Sequence, residues 1–273
     1  MTRRMRLLAV TSLTALAGSA LAVVPAGAPA APVITMSGST SVAPLASLLA
    51  RGYLKSHPRR AKFRLAQGGS DVGVADVAAG RVTIGNSSRD PKSSDPGGLV
   101  FNKIAKDAIC VITNPANPVA NLSAAQIQAI FSGRVRDWSQ IPGAGVSGPI
   151  NLTVRTAASG TQDAFQKIFM GSASVSSAAS AKASNGLVQQ TVQSDRNAVG
   201  YVSLDFVRGT HPASYNGVAC NLRNAKSGDY GGVRNFWMVT RGKARGATFR
   251  FINWVQQSAA AQKIVGTHWV PLR

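Results

Sequence analysis

The sequence predicts an α/β protein with two lobes, and three observations support this fold class. The chain has 273 residues and is 45% hydrophobic, which suffices for one large core or two modest ones. Short runs rich in β-branched residues alternate with longer segments of helical periodicity, the pattern of βα units and largely parallel sheets. Pro- and Gly-rich stretches at 90–98 and 141–149 are typical of loops between such units.

The individual elements follow from this alternation. Strands are predicted at the β-branched runs 33–36, 62–66, 82–85, 109–113, 150–155, 199–203 and 236–240. Helices are predicted at 42–53, after a candidate cap at Ser123, at 160–169, and as a pair within 248–265. The Ser- and Ala-rich stretch 172–184 is predicted to be a loop.

The N-terminus has the pattern of an export signal. Arg3, Arg4 and Arg6 precede an apolar stretch at 7–24, and an Ala-Pro-Ala site for cleavage lies at 28–30. An uncleaved membrane anchor is the alternative, although Thr, Ser and Gly residues dilute the stretch. We therefore predict a signal peptide at 1–30 and an exported, periplasmic or cell-wall-associated protein. No cysteine lies near the signal to carry a lipid.

The charge of the chain is strongly positive. The formal net charge is +20, and all ten acidic residues are Asp. Such a field concentrates anions and favours contact with polyanionic cell-wall polymers. The basic residues form only short clusters, as at 59–62 and 241–250, so no arm or stripe predicts specific nucleic-acid binding.

The two cysteines, Cys110 and Cys220, leave two readings open. An oxidising compartment would permit a disulfide between them. Two buried free thiols are the alternative, because sequence separation alone does not show whether they meet.

Small hydroxyl or glycine residues stand at four points where a predicted strand gives way to a helix or loop. These junctions are 37–41, 68–71, 85–89 and 155–161, of which the last begins with Arg155 and ends in Ser-Gly-Thr. The first N–H groups of a helix lack intrahelical partners and present positive potential, so an oxyanion binds well there. Each junction alone indicates no more than a helix cap. Four together predict a shared anion site, with Arg155 supplying a full positive charge.

The ordered motifs resemble those of the PstS-like phosphate-binding proteins of phosphate ABC transporters, which have the type II periplasmic binding fold. The resemblance covers nearly the whole chain after the export signal. Its matching segments are 38–44 (Gly-Ser-Thr-Ser-Val-Ala-Pro), 67–70 (Gln-Gly-Gly-Ser), 84–89 (Ile-Gly-Asn-Ser-Ser-Arg), 104–107, 114–118, 121–133 with Trp138, 159–161 and 199–202.

This resemblance implies a binding protein that closes two lobes around one inorganic phosphate and delivers it to a membrane permease. The ligand contacts of the family would fall on Thr40, Ser41, Ser70, Ser88, Arg155, Ser159, Gly160 and Thr161. Lobe I is expected at 32–107 plus 232–273 and lobe II at 108–231, with two chain crossings as the hinge. A monomer without cofactor or metal is expected.

Ser88 departs from the pattern of the best-known members, which carry Asp at this position to accept a hydrogen bond from protonated phosphate. A carboxylate repels sulfate, which has no proton to donate, whereas a hydroxyl can donate or accept. The sequence therefore leaves phosphate, arsenate, sulfate or another oxyanion open. Asp71 or Asp90 could supply the acceptor instead, with a solvated turn as the alternative role.

Two other classes of function compete with solute transport. An exported hydrolase is poorly supported, since the three histidines His57, His211 and His268 lie far apart and neither a zinc-protease nor a P-loop motif is present. A surface protein that binds cell-wall polyanions through its net charge, or that scavenges or senses phosphate, is the second alternative.

Overall fold

The computed structural model describes residues 30–273, and the predicted export signal lies outside them except for Ala30. The strands are β1 Val33–Gly38, β2 Lys62–Leu65, β3 Ile84–Ser87, β4 Leu99–Thr113, β5 Asn121–Leu122, β6 Asn151–Arg155, β7 Ser180–Lys182, β8 Ala198–Ser203, β9 His211–Pro212, β10 Ser214–Tyr215 and β11 Val233–Arg241. The helices are α1 Ala43–Ser56, α2 Ser70–Ala78, α3 Ala124–Phe131, α4 Gly160–Phe165, α5 Asn185–Ser194, α6 Leu222–Ser227, α7 Gly246–Gln257 and α8 Ala259–Val265. No helix in this part of the chain combines the length and apolar character needed to span a membrane.

One nine-stranded sheet runs through the described residues in the order β2-β1-β3-β11-β4-β8-β6-β7, with β9 beside β4. Its outer pairs are parallel, namely β1 with β2 and β3, and β6 with β7 and β8. Its middle is antiparallel, because β11 pairs with β3 and β4, and β4 pairs with β8. The outer strands therefore pair in parallel, as predicted. The central strands pair antiparallel, which the prediction of largely parallel sheets did not include.

Strand β4 joins two halves of the sheet. Its residues up to Ala108 pair with β11, and those from Ile109 onward pair with β8. We call β2, β1, β3, β11 and the first part of β4 the first half, and the rest the second half. The sequence predicted only 109–113 of this strand, because charged and amide side chains in 99–107 obscure the apolar alternation.

Each half of the sheet has its own apolar core. In the first half, α1, α7 and α8 pack around the buried residues Leu45, Phe236 and Phe251. In the second half, a cluster around Phe131 and Trp138 lies beneath α3 and α4. Both aromatic side chains are fully buried.

Three helices, α2, α5 and α6, were not predicted from the sequence, and the first two of them follow strand ends. Helix α2 contains Gly73 and several valines, which have low helix propensity. Helix α5 begins with Asn185-Gly186, a dipeptide typical of turns. Strand β7 lies within the stretch 172–184 that was predicted to be a loop. Ser123 does cap α3, in a reciprocal capping box with Gln126.

Cys110 and Cys220 form a disulfide in the structure, with Cα atoms 5.6 Å apart. The bond joins β4 to the segment before α6, and both residues lie in the same buried cluster. It therefore closes a loop across most of the second half of the sheet, with a sequence separation of 110. The loss of such a cross-link enlarges the conformational freedom of the unfolded chain.

Replacing both cysteines by alanine is expected to lower the free energy of unfolding by about 2–4 kcal/mol. Urea unfolding of the oxidised protein and of the double variant measures this difference. Reduced wild-type protein is the control and should unfold at the urea midpoint of the variant. Equal midpoints for the oxidised protein and the variant would show that the cross-link does not stabilise the fold.

Candidate functional site

The N-termini of four helices from both halves of the sheet meet at one buried place. Thr40 and Ser41 lie just before α1, and Ser70 is the first residue of α2. Ser159 caps α4, and Asn185 begins α5. Several of the first N–H groups of these helices already donate to cap hydroxyls or carbonyls, but the positive ends of the helix dipoles converge here and add positive potential to the site.

Small hydroxyl groups line this place and touch each other across the two halves. Ser41 Oγ lies 3.0 Å from Thr161 Oγ1, and Ser70 Oγ lies 3.3 Å from Ser88 Oγ. Ser39 Oγ donates to Ser88 Oγ at 2.8 Å. All five side chains are buried. A hydroxyl can rotate to donate to an oxyanion, so this group offers adaptable donors around one point.

Arg155, at the end of β6, brings a full positive charge to these hydroxyls. Its Nη2 donates to Thr40 Oγ1 at 3.2 Å and to the carbonyl of Ala183 at 2.9 Å, and its Nε donates to the carbonyl of Lys182. No carboxylate within residues 30–273 forms an ion pair with it. Burial, together with the positive charge of Arg234, lowers the pKa of Arg155 to about 10. A buried cation without a counter-ion is costly, so an anion placed here would stabilise it.

Gly160 and Ser159 contribute to the site in different ways: Gly160 provides space, and Ser159 caps a helix. A side chain at Gly160 would collide with Ser70 Oγ, and would come within 2.8 Å of Ser88 Oγ, so only glycine permits this approach of the two halves. Ser159 Oγ accepts from the backbone N–H groups of Thr161 and Gln162. Its hydroxyl oxygen therefore acts as a helix cap in the structure.

The structure thus brings the eight residues predicted from the sequence into one cluster. It also adds residues that the sequence reasoning missed: Arg234, Asp107 and Asn185. Asn185 Nδ2 donates to Thr40 Oγ1 at 3.1 Å and to Ser41 Oγ at 2.8 Å. Asp107 follows the charged part of β4, and no local pattern in the sequence marks it as buried.

The loop that presents Ser88 is fixed by Arg89. Its guanidinium donates to Asp71 at 2.6 Å and to both carboxylate oxygens of Asp95, at 2.6 and 2.9 Å. Asp90, the other acceptor considered from the sequence, accepts from Asn235 and Trp237. The carboxylates of Asp71 and Asp90 therefore accept hydrogen bonds from other groups, and within residues 30–273 neither contacts the hydroxyl cluster.

The described residues offer little for acid–base or metal chemistry at this place. His57 stacks on Tyr53, His211 contacts the carbonyl of Val119, and His268 lies beside Asp205, so none of the three reaches the hydroxyl cluster. No group of three potential metal-ligating side chains is found within 30–273. The arrangement is suited to holding an anion with neutral donors and guanidinium groups.

A two-part α/β fold with helix N-termini and hydroxyls gathered between its parts defines a solute-binding protein. The chain belongs to the PBP superfamily, whose family model matches residues 23–259. This confirms the predicted fold class and the resemblance seen in the sequence.

Individual relatives are similar over most of the chain. The phosphate-binding protein PstS of Bacillus subtilis is 26% identical over 237 residues, which cover 85% of this chain and 78% of that protein. A structure from Clostridium perfringens, described as a phosphate ABC transporter substrate-binding protein with bound phosphate, is 30% identical with a TM-score of 0.83. The match covers 88% of this chain and 100% of that one. An ABC-type phosphate transport receptor from Vibrio cholerae is 27% identical with a TM-score of 0.70, covering 87% and 99%.

Proposed function

We propose that this protein binds one inorganic phosphate, or a related tetrahedral oxyanion, between two lobes and delivers it to an ABC transporter. The choice of phosphate as ligand and of an ABC transporter as partner is supported by the relatives, which are named as phosphate-binding and ABC transporter proteins. The observation that carries the proposal is the buried guanidinium of Arg155, which lies among hydroxyls and helix N-termini and pairs with no carboxylate of residues 30–273. The protein is exported and acts as a monomer. Thr40, Ser41, Ser70, Ser88, Arg155, Ser159, Gly160 and Thr161 form the binding site.

The two lobes of the proposal are 32–107 plus 232–273 and 108–231. The change of partner in β4 between Ala108 and Ile109 supports this boundary. Contacts between the lobes are direct, as the backbone N–H of Asp71 donates to the carbonyl of Ala158 at 3.1 Å. Lys92 Nζ also lies 3.1 Å from Asp163 Oδ1 on α4. Such contacts belong to a closed cleft, in which a bound anion is enclosed.

Calorimetric titration with phosphate at low and high salt tests the proposal. Enclosed binding is expected to show one site and an affinity that changes little with salt, because the interacting charges are buried. A polyanion-binding surface, the alternative that the net charge of +20 supports, would instead lose affinity steeply with salt. Saturable one-site binding that survives high salt therefore supports the proposal. Absence of phosphate binding under both conditions refutes it.

The pair between Lys92 and Asp163 is expected to slow opening of the closed cleft. Changing Lys92 to Gln should increase the rate of phosphate dissociation about two- to fivefold, in keeping with a part-exposed ion pair of about 0.5–1 kcal/mol. Stopped-flow displacement measures this rate. Asp163 also pairs with the more exposed Lys167, so Lys167→Gln is the matched control and should leave the rate unchanged. Equal dissociation rates for wild type and Lys92→Gln would contradict a role in closure.

A further inference from the structure

Arg234 is a second buried guanidinium beside the proposed binding site. It lies on β11 directly opposite Asp107 on β4, one residue before the point where β4 changes partner. The side chains of the pair are 3% and 0% exposed. Strand β4 passes from one lobe to the other just after Asp107, and β11 begins just after the second crossing of the chain at 231–232, so the pair lies at the hinge.

Arg234 divides its donors between Asp107 and the hydroxyl cluster. Its Nε and Nη2 donate to Asp107 Oδ2 at 3.0 and 2.8 Å. Nη2 also donates to Ser41 Oγ at 2.9 Å. Its Nη1 has only long contacts, 3.4 Å to Ser88 Oγ and 3.5 Å to the Ser88 carbonyl. Contacts of this length are weak, so Nη1 can donate more strongly to an anion held by Ser41 and Ser88.

Asp107 is held by groups from the other lobe. Ser203 Oγ donates to Asp107 Oδ1 at 2.9 Å, and the backbone N–H of Ser203 donates to Asn185 Oδ1. Asn185 in turn donates to Ser41, which accepts from Arg234. A closed ring of buried hydrogen bonds therefore passes through both lobes and the hinge. The direction of the Arg234 guanidinium is set by this ring.

The three charged side chains at the proposed binding site have a net charge of +1, which a bound anion would neutralise. Arg155 and Arg234 contribute two, and Asp107 removes one. Burial raises the pKa of Asp107, although the adjacent Arg234 opposes that shift. Without a counter-ion for Arg234, two guanidinium groups would face each other in a buried site, which is strongly unfavourable.

We propose that Arg234 is a second anion-contacting cation and that Asp107 is the residue that positions it. This inference rests on the proposed function, because it names a further residue of the same oxyanion site. In this arrangement Arg155 and Arg234 donate to the anion from opposite sides. Asp107 keeps the total charge low enough for Arg234 to be buried before the anion arrives.

The test uses a double variant, Arg234→Gln with Asp107→Asn, which removes both charges and so keeps the net charge of the site. Two amides can also hydrogen-bond to each other, so the variant leaves no unpaired buried charge. Calorimetry with phosphate is expected to show affinity about 10- to 100-fold weaker than wild type, the size of a lost hydrogen bond to a charged group. Cooperative urea unfolding of the variant verifies its fold. A folded double variant that binds phosphate within about twofold of wild type overturns the inference.

A conservative variant covers the case in which the double variant does not fold. Arg234→Lys keeps the charge beside Asp107 but cannot reach Asp107, Ser41 and Ser88 together. We expect phosphate affinity to fall about tenfold, and wild-type affinity in a folded Arg234→Lys protein would overturn the inference. If the proposed function itself is wrong, wild-type protein does not bind phosphate. If only the inference about Arg234 is wrong, wild type and the folded variants bind phosphate equally well.

Discussion

Changing Arg155 to Met is expected to weaken phosphate binding at least ~100-fold, since the anion loses a guanidinium that no carboxylate neutralises. The same change should leave the unfolding temperature of the phosphate-free protein unchanged or raised. Arg155 is buried and repelled by Arg234, and these two effects together lower its pKa to about 10. Removing a buried charge that pairs with no carboxylate of residues 30–273 relieves a cost that its hydrogen bonds to Thr40, Lys182 and Ala183 offset only in part. Opposite effects on binding and stability are characteristic of a residue kept for function.

Calorimetry and thermal unfolding measure these two quantities on the same samples. Arg250→Met is the matched control, since Arg250 is an exposed arginine on α7 and the change in net charge is the same. The control should bind phosphate like wild type. If Arg155→Met bound phosphate like the control, the anion would not lie beside Arg155.

The part of the site that could be predicted from the sequence consists of local signals. Thr40, Ser70, Ser88 and Thr161 each stand beside a strand end, where a short Gly- and Ser-rich motif indicates the start of a helix or a loop. Such a motif can be recognised without knowing which strands pair. The structure then brings these residues together because the strand ends of both halves of the sheet face each other.

Arg234 and Asp107 could not be predicted in the same way. They are separated by 127 positions, and they meet only through the antiparallel pairing of β11 with β4. In the sequence, Arg234 is one of 30 basic residues, and the charged first part of β4 hides a strand. Long-range strand pairing, which local periodicity does not encode, is therefore what supplies the second guanidinium.

Selectivity between oxyanions is expected to depend on Ser88. Its hydroxyl lies among Ser39 Oγ, Ser70 Oγ and Arg234 Nη1, and within residues 30–273 it forms no hydrogen bond to a carboxylate. Hydroxyl groups can donate to either ion, whereas only a carboxylate penalises an anion that lacks a proton. We therefore expect wild-type protein to bind sulfate within about tenfold of phosphate.

Changing Ser88 to Asp is expected to create this discrimination. The new carboxylate can accept from Ser39, Ser70 and Arg234, so the site can hold it, and it can accept the proton of hydrogen phosphate. Against sulfate it places two anionic oxygens together in a buried site, which should weaken sulfate binding at least ~100-fold while phosphate affinity stays within about tenfold.

Ser88→Asn is the matched control, because it has the size of Asp and no charge. It should change the affinities for phosphate and sulfate by similar factors, so the ratio of the two dissociation constants stays near that of wild type. Calorimetric titration of all three proteins with both ions gives this ratio. Because Gly160 leaves little space beside Ser88, both substitutions carry the same steric cost, and that cost cancels in the ratio. A ratio that is equal in Ser88→Asp and Ser88→Asn would mean that position 88 does not contact the protonated oxygen of the anion.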